Sequence, residues 1–244
     1  MLLILMFIAI SVGLAEQPRK GEIVFLIHGL GRSSASMFLL KHRLENQGFE
    51  LISKSYDSRG GGIEDHVEWL AEEIHLCCED EDRPLHFVTH SLGGIVLRAY
   101  LKDVSPPDLG RVVMLTPPSQ GSELAEYLKD WEVYRIAMGP SGQEIGIGAE
   151  SYPNVLGPVE FELGVIAGDR SINPLTSQVI PGPNDGKVSV ERARVEGMRD
   201  FIVLEHSHTF IMNSPEVAEQ IVSFLRTGAF FRDEEIPDST NGEE

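Results

Sequence analysis

The chain has 244 residues, with 38 acidic against 20 basic side chains and a formal charge of −18 at neutral pH. That balance argues against nucleic acid as a partner and against electrostatic docking on anionic membranes. An apolar content of 42% and a charged content of 24% are ordinary for a globular protein, and the length suits one domain with a sizeable core, at most with a small cap. Part of the acidic excess is local, in Glu79–Asp82 and in the tail from Asp233 to Glu244. The rest reads as a solvated acidic surface, which near a site would disfavour anionic substrates.

The first fifteen residues, MLLILMFIAISVGLA, are nearly all apolar and lead into the polar EQPRKGE. The run falls short of the roughly 20 residues needed to span a bilayer. It fits the apolar region of an export signal, residues 1–15, with Gly13-Leu14-Ala15 as a small-x-small cleavage site, although no Lys or Arg precedes it. An uncleaved anchor and a misassigned start are the other readings. The first two place the protein outside the cytoplasm, exported or held near a membrane.

Glu22–His28 (EIVFLIH) is a continuous apolar run, the pattern of a parallel strand buried on both faces. It ends in the turn His28-Gly29-Leu30-Gly31, followed by helical spacing over Ser33–Gln47 and a second strand, Phe49–Ser53. After a glycine-rich loop, Ile63–Cys77 repeats apolar residues on one helical face. Cys77 and Cys78 close that helix. Helical neighbours point about 100° apart, so a bond between them would be strained, and no ligand spacing accompanies them. Neither a metal site nor a disulfide staple is expected.

Leu85–Thr89 is the next buried strand, joined by a tight turn at Ser91 to a helix from about Gly93 to Leu101. Arg111–Leu115 is another strand. Strands alternating with helices predict a doubly wound, mostly parallel α/β sheet with right-handed crossovers. The rhythm breaks after Thr116-Pro117-Pro118. Residues 119–162 hold one or two helices and a Gly/Pro-rich passage, a cap-like excursion within a domain spanning 19–230. Strands at Leu163–Ala167 and Phe201–Leu204 and a helix at Pro215–Arg226 follow, and a polar acidic tail from residue 231 closes the chain.

A serine on a sharp strand-to-helix turn is a nucleophile elbow, which needs small residues two before and two after it. Gly93, backed by Gly94, fills the second position, but Thr89 stands at the first. Taken alone, a serine beside glycines at a helix start is more often an N-cap. Four motifs occur in order: His28-Gly29-Leu30-Gly31, Thr89-His90-Ser91-Leu92-Gly93-Gly94, Asn184-Asp185-Gly186 and His206-Ser207-His208-Thr209. With Thr116-Pro117-Pro118-Ser119-Gln120-Gly121-Ser122, they make the chain resemble the serine hydrolases of the α/β-hydrolase superfamily, close to small bacterial lipases and esterases. The resemblance covers most of residues 23–230.

It implies a three-layer α/β fold of about six strands, without the N-terminal hairpin of larger members. It implies catalytic roles for Ser91, His208 and Asp185, and an oxyanion hole from the backbone N–H groups of Leu30 and Leu92. His206 is the rival base and Asp169 the rival acid. His28 and His90 sit beside the site in structural roles. The implied activity is a metal-independent cleavage of carboxylic esters, small or lipid-like, through an acyl-enzyme, with no cofactor. A thioesterase, an amidase or an acyltransferase would use the same residues, while a non-catalytic binding scaffold is the alternative of another class. Acyl-chain length and oligomeric state are not legible.

Overall fold

A computed structural model describes residues 21–78, 83–106 and 108–232. The leader at 1–15, the acidic run at 79–82 and the tail from 233 lie outside the described residues. In chain order the elements are β1 (Ile23–Ile27), α1 (Phe38–Glu45), β2 (Glu50–Ser53), α2 (Ile63–Cys78), β3 (Leu85–His90), α3 (Leu92–Asp103) and β4 (Leu109–Leu115). They continue with α4 (Glu123–Leu128), α5 (Glu132–Glu144), α6 (Tyr152–Val155), β5 (Leu163–Gly168), α7 (Pro174–Ser177), α8 (Val190–Ala193), β6 (Asp200–Leu204) and α9 (Pro215–Thr227).

The six strands form one sheet in the order β2-β1-β3-β4-β5-β6, and every neighbouring pair is parallel. The continuous apolar runs are explained by burial on both faces. Along β1, Ile23, Phe25 and Ile27 enter the core shared with α2 and α3, while Val24 and Leu26 enter the core shared with α1 and α9. Each fully buried Phe, such as Phe25 or Phe87, contributes roughly 2–3 kcal/mol by leaving water.

The chain reverses its winding between β1 and β3: it steps outward to β2, then returns across β1 to build the other half of the sheet. Loops leaving the carboxyl ends of β1 and β3 therefore diverge and open a crevice. The His28-Gly29-Leu30 turn and Ser91 border it.

The helices start and stop where their ends are satisfied. In α9 the Ser214 hydroxyl accepts the Val217 N–H, Pro215 occupies the first turn, and Gly228 at φ 76° ends it. Its buried face, Val217, Ile221 and Phe224, docks on the sheet and so fixes the loop before it, which carries His208.

Residues 119–162 carry α4, α5 and α6. Gly139, at φ 65° and ψ −168°, breaks α5 just before Pro140, so the predicted helical stretch is two helices and a kink. The segment is tied down at several points. The Glu144 carboxylate accepts the Ile63 N–H at 2.7 Å, and Ser141 Oγ donates to the Gly61 carbonyl at 2.8 Å. The Arg98 guanidinium on α3 donates to the carbonyls of Ser119 and Gly157 at 2.9 and 2.6 Å.

One expectation is corrected. Cys77 and Cys78 are joined as a vicinal disulfide. They are the last two residues given to α2, and the strain expected of neighbouring helical positions does not prevent the bond. Among the described residues no helix is long and apolar enough to cross a membrane.

Candidate active site

Ser91 sits between β3 and α3 with φ 54° and ψ −122°, a backbone conformation that costs about 1–3 kcal/mol and persists only where packing enforces it. The enforcement comes from close approach. A Cβ on Gly93 would lie 2.7 Å from the Ile27 carbonyl oxygen and 2.8 Å from that of His28, so α3 can rest against β1 only with glycine there. A Cβ on Gly29 would lie 2.9 Å from Ser91 Cβ. Gly94 makes the room that Thr89 needs: a Cβ there would stand 3.2 Å from Thr89 Oγ1, a buried hydroxyl with no protein partner.

Although Ser91 occupies the cap position of α3, its hydroxyl bonds no backbone N–H of that helix. It lies 3.0 Å from Nε2 of His208. His208 Nδ1 in turn is 2.7 Å from Asp185 Oδ2. A carboxylate oxygen can only accept, so Nδ1 carries the proton and Nε2 is left as the acceptor for the serine hydroxyl. All three side chains are buried.

Asp185 is held from both sides. Its Oδ1 accepts the backbone N–H groups of Lys187 and Val188, each at 2.9 Å, and its own carbonyl accepts the His208 N–H at 3.1 Å. The rivals point elsewhere. Asp169 is exposed, and His206 Nε2 pairs with Glu216 at 3.1 Å.

The two neighbouring histidines hold the frame. His28 Nδ1 donates to the Gly29 carbonyl at 3.0 Å while its Nε2 accepts the Tyr56 N–H at 3.2 Å, and the two rings stack at 4.4 Å. His90 Nε2 donates to the His208 carbonyl at 2.9 Å. Burial, with the nearby His208 adding to it, pushes the His90 imidazole well below the usual histidine range, so it stays neutral. Sequence reasoning placed His90 beside the site but not its bond to the backbone of His208.

Among the described residues, the backbone N–H groups of Leu30 and Leu92 bond to no protein acceptor. Leu92 opens α3, where the helix dipole favours negative charge. Ser122, the last residue of the Thr116–Ser122 stretch, caps α4 and donates to the Lys187 carbonyl at 2.8 Å, tying the 119–162 segment to the Asp185 loop.

Over Ser91 lies a cavity of about 360 Å³. Its lining includes the apolar Leu124, Leu128, Ala137, Met138 and Ile145 from the 119–162 segment and the cations Arg32, Arg59 and Lys187. None of these three cations was singled out by the sequence, because each sits on a different loop. Chemically, the arrangement can remove a proton from a serine hydroxyl. Among the described residues no three or more His, Cys, Asp or Glu side chains are grouped to hold a metal ion.

No family model matches the chain. A curated relative, the lysosomal thioesterase PPT2 of Rattus norvegicus, is 28% identical over 162 residues, covering 60% of this chain and 53% of that protein. The chain thus aligns with about half the length of that relative. Among solved structures it is similar to the mature lipase BlEst2 of Bacillus licheniformis, with a TM-score of 0.66 and 20% identity over 80% of this chain and 88% of that one. It is also similar to the phospholipase PlaB of Legionella pneumophila, with a TM-score of 0.67 and 16% identity over 85% of this chain and 59% of that one. The chain has the α/β-hydrolase fold.

Proposed function

We propose that this α/β-hydrolase-fold chain is an enzyme that cleaves carboxylic esters through an acyl-enzyme on Ser91. The observation that carries the reading is the continuous hydrogen-bonded line from Ser91 through His208 to Asp185, at 3.0 and 2.7 Å, on a strained elbow facing a cavity.

The steps follow from those atoms. His208 Nε2 takes the Ser91 proton as Oγ attacks the acyl carbon, and Asp185 steadies the imidazolium. The carbonyl oxygen becomes negative and is met by the Leu30 and Leu92 N–H groups, which spend no energy on reorganising. His208 then gives its proton to the departing alkoxide, and the alcohol leaves. A water loses a proton to His208 and attacks the acyl-enzyme, and as the intermediate collapses His208 returns that proton to Ser91 Oγ and the acid leaves. The acyl chain lies against the apolar lining formed by Leu124, Leu128 and Met138.

A thioester is the second reading, supported by the likeness to a thioesterase. The chemistry is the same with sulfur departing, and the acyl-enzyme serves an alcohol acceptor equally well. Export through the apolar leader belongs to the same proposal and is tested by sequencing the N-terminus of the protein recovered from its host.

The test is turnover of matched ester and thioester series, graded by acyl length, with the purified full chain. Ser91-dependent hydrolysis with a burst of the first product supports the reading. Binding without turnover in folded protein overturns it in favour of a scaffold.

A further inference from the structure

Three loops at the carboxyl edge of the sheet each bring a cation to the lining of the cavity over Ser91. Arg32 follows β1, Arg59 follows β2, and Lys187 stands two residues beyond Asp185. The chain is strongly acidic, yet among the described residues no Asp or Glu lines this cavity. Among the described residues no carboxylate lies within ion-pair distance of any of the three side chains. The nearby Asp57 carboxylate is used by the Arg59 backbone N–H at 3.3 Å and not by its guanidinium. Among the described residues Arg111 pairs with Glu162, Arg192 with Glu123 and Arg232 with Asp200, while Arg98, away from the cavity, is bonded only to backbone carbonyls.

Two of the charges, Arg32 and Lys187, also oppose one another. Desolvation and the Arg32 guanidinium lower the Lys187 ammonium from its usual range while the Asp185 carboxylate acts against them, and both cations press on His90. A bound anion would relieve the repulsion between Arg32 and Lys187. The expected acidic surface near the site, which would turn anions away, is therefore reversed where it matters.

Resting on the hydrolase reading, we propose that the substrate's leaving half carries a phosphoryl group, gripped by Arg32, Arg59 and Lys187 while the acyl chain lies on the apolar lining. Two guanidinium groups suit a phosphoryl group, whose several oxygens can take paired N–H donors. The side is set by His208. It must protonate the departing atom, and its backbone is bonded to the loop that carries Lys187. A phosphopantetheine-type thioester and an acylated glycerol phosphate share this chemistry.

The test compares kcat/KM for matched pairs with one acyl chain. One arm sets an acyl-coenzyme A against the acyl thioester of N-acetylcysteamine, and the other sets an acylglycerol phosphate against the acylglycerol. The phosphorylated member is expected to be favoured about tenfold or more at low salt, with the ratio shrinking in high salt. The double variant R32Q/R59Q collapses the ratio towards one. The arm with the larger ratio identifies the source of the phosphoryl group. A ratio near one in the wild-type protein in both arms, or a ratio that the double variant leaves intact, overturns the proposal.

If no member of either pair turns over, the hydrolase reading has failed, and the cationic cluster is still tested by titrating the full chain with glycerol 3-phosphate in a calorimeter. Binding that disappears in R32Q/R59Q supports the phosphoryl subsite, and no binding refutes it.

Discussion

The imidazole of His90 donates to the backbone carbonyl of His208 across 2.9 Å, so one buried histidine positions the peptide that carries another. His90 precedes the nucleophile in sequence, and this bond fixes the base relative to the elbow. Misplacing a reacting group by about 1 Å can cost on the order of 10²-fold in rate. His90→Ala is accordingly expected to lower kcat ten- to a hundredfold with little change in KM, and His90→Gln, which keeps a donor, to recover part of it. A rise in KM with kcat intact would assign His90 to substrate binding.

Asp185 offers a sharper substitution. In Asp185→Asn one oxygen can still accept the Lys187 and Val188 N–H groups, but the amide now donates towards His208 Nδ1. The proton is then forced onto Nε2, which can no longer take one from Ser91. A fall in kcat of about 10³–10⁴ is expected, with the unfolding midpoint little changed. Less than a tenfold loss would show that another residue orients the base.

The elbow separates two small changes. Gly93→Ala drives a Cβ against two backbone carbonyls at 2.7 and 2.8 Å, which have no room to yield. Such overpacking costs about 1–3 kcal/mol and shifts the Leu92 N–H, so both stability and kcat should fall. Thr89→Ala removes a buried hydroxyl that bonds nothing, and the unfolding midpoint should hold or rise slightly. Thermal melts and kinetics on the two variants check this together.

Stability should fall in mild acid. Burial, helped by the Arg111 charge, lowers the His86 imidazole to about 4, against about 6.5 in an unfolded chain. Between those values the unfolded state binds the extra proton, so stability drops as the pH falls through the window and levels off below it. Burial lowers His28, His66 and His90 in the same direction. By pH 5 His86 alone should cost about 2 kcal/mol, and the unfolding midpoint should fall by several degrees between pH 7 and 5. His86→Gln should flatten that slope. A midpoint constant over this range would contradict the assignment.

Much of this molecule was readable because buried parallel strands have a plain signature. All six strands announced themselves as short apolar runs, and the doubly wound order follows from alternation with helices. The meeting of Ser91, Asp185 and His208 was readable because each follows its own strand and returns to one sheet edge. Arg32, Arg59 and Lys187 were not, since residues from three loops share no spacing and only the fold brings them to one cavity. The kink at Gly139 hid inside a stretch of good helical spacing. The Cys77–Cys78 bond was not legible, because the angle between helical neighbours argues against it and no ligand or pairing spacing marks it.

The central claim is that Ser91 is an activated nucleophile. The most direct measurement is reaction of the purified full chain with a fluorophosphonate probe, the adduct being located by peptide mass spectrometry. The account predicts one adduct on Ser91, absent in Ser91→Ala and strongly slowed in His208→Ala. Folded protein that stays unlabelled, or labels equally without His208, would contradict it.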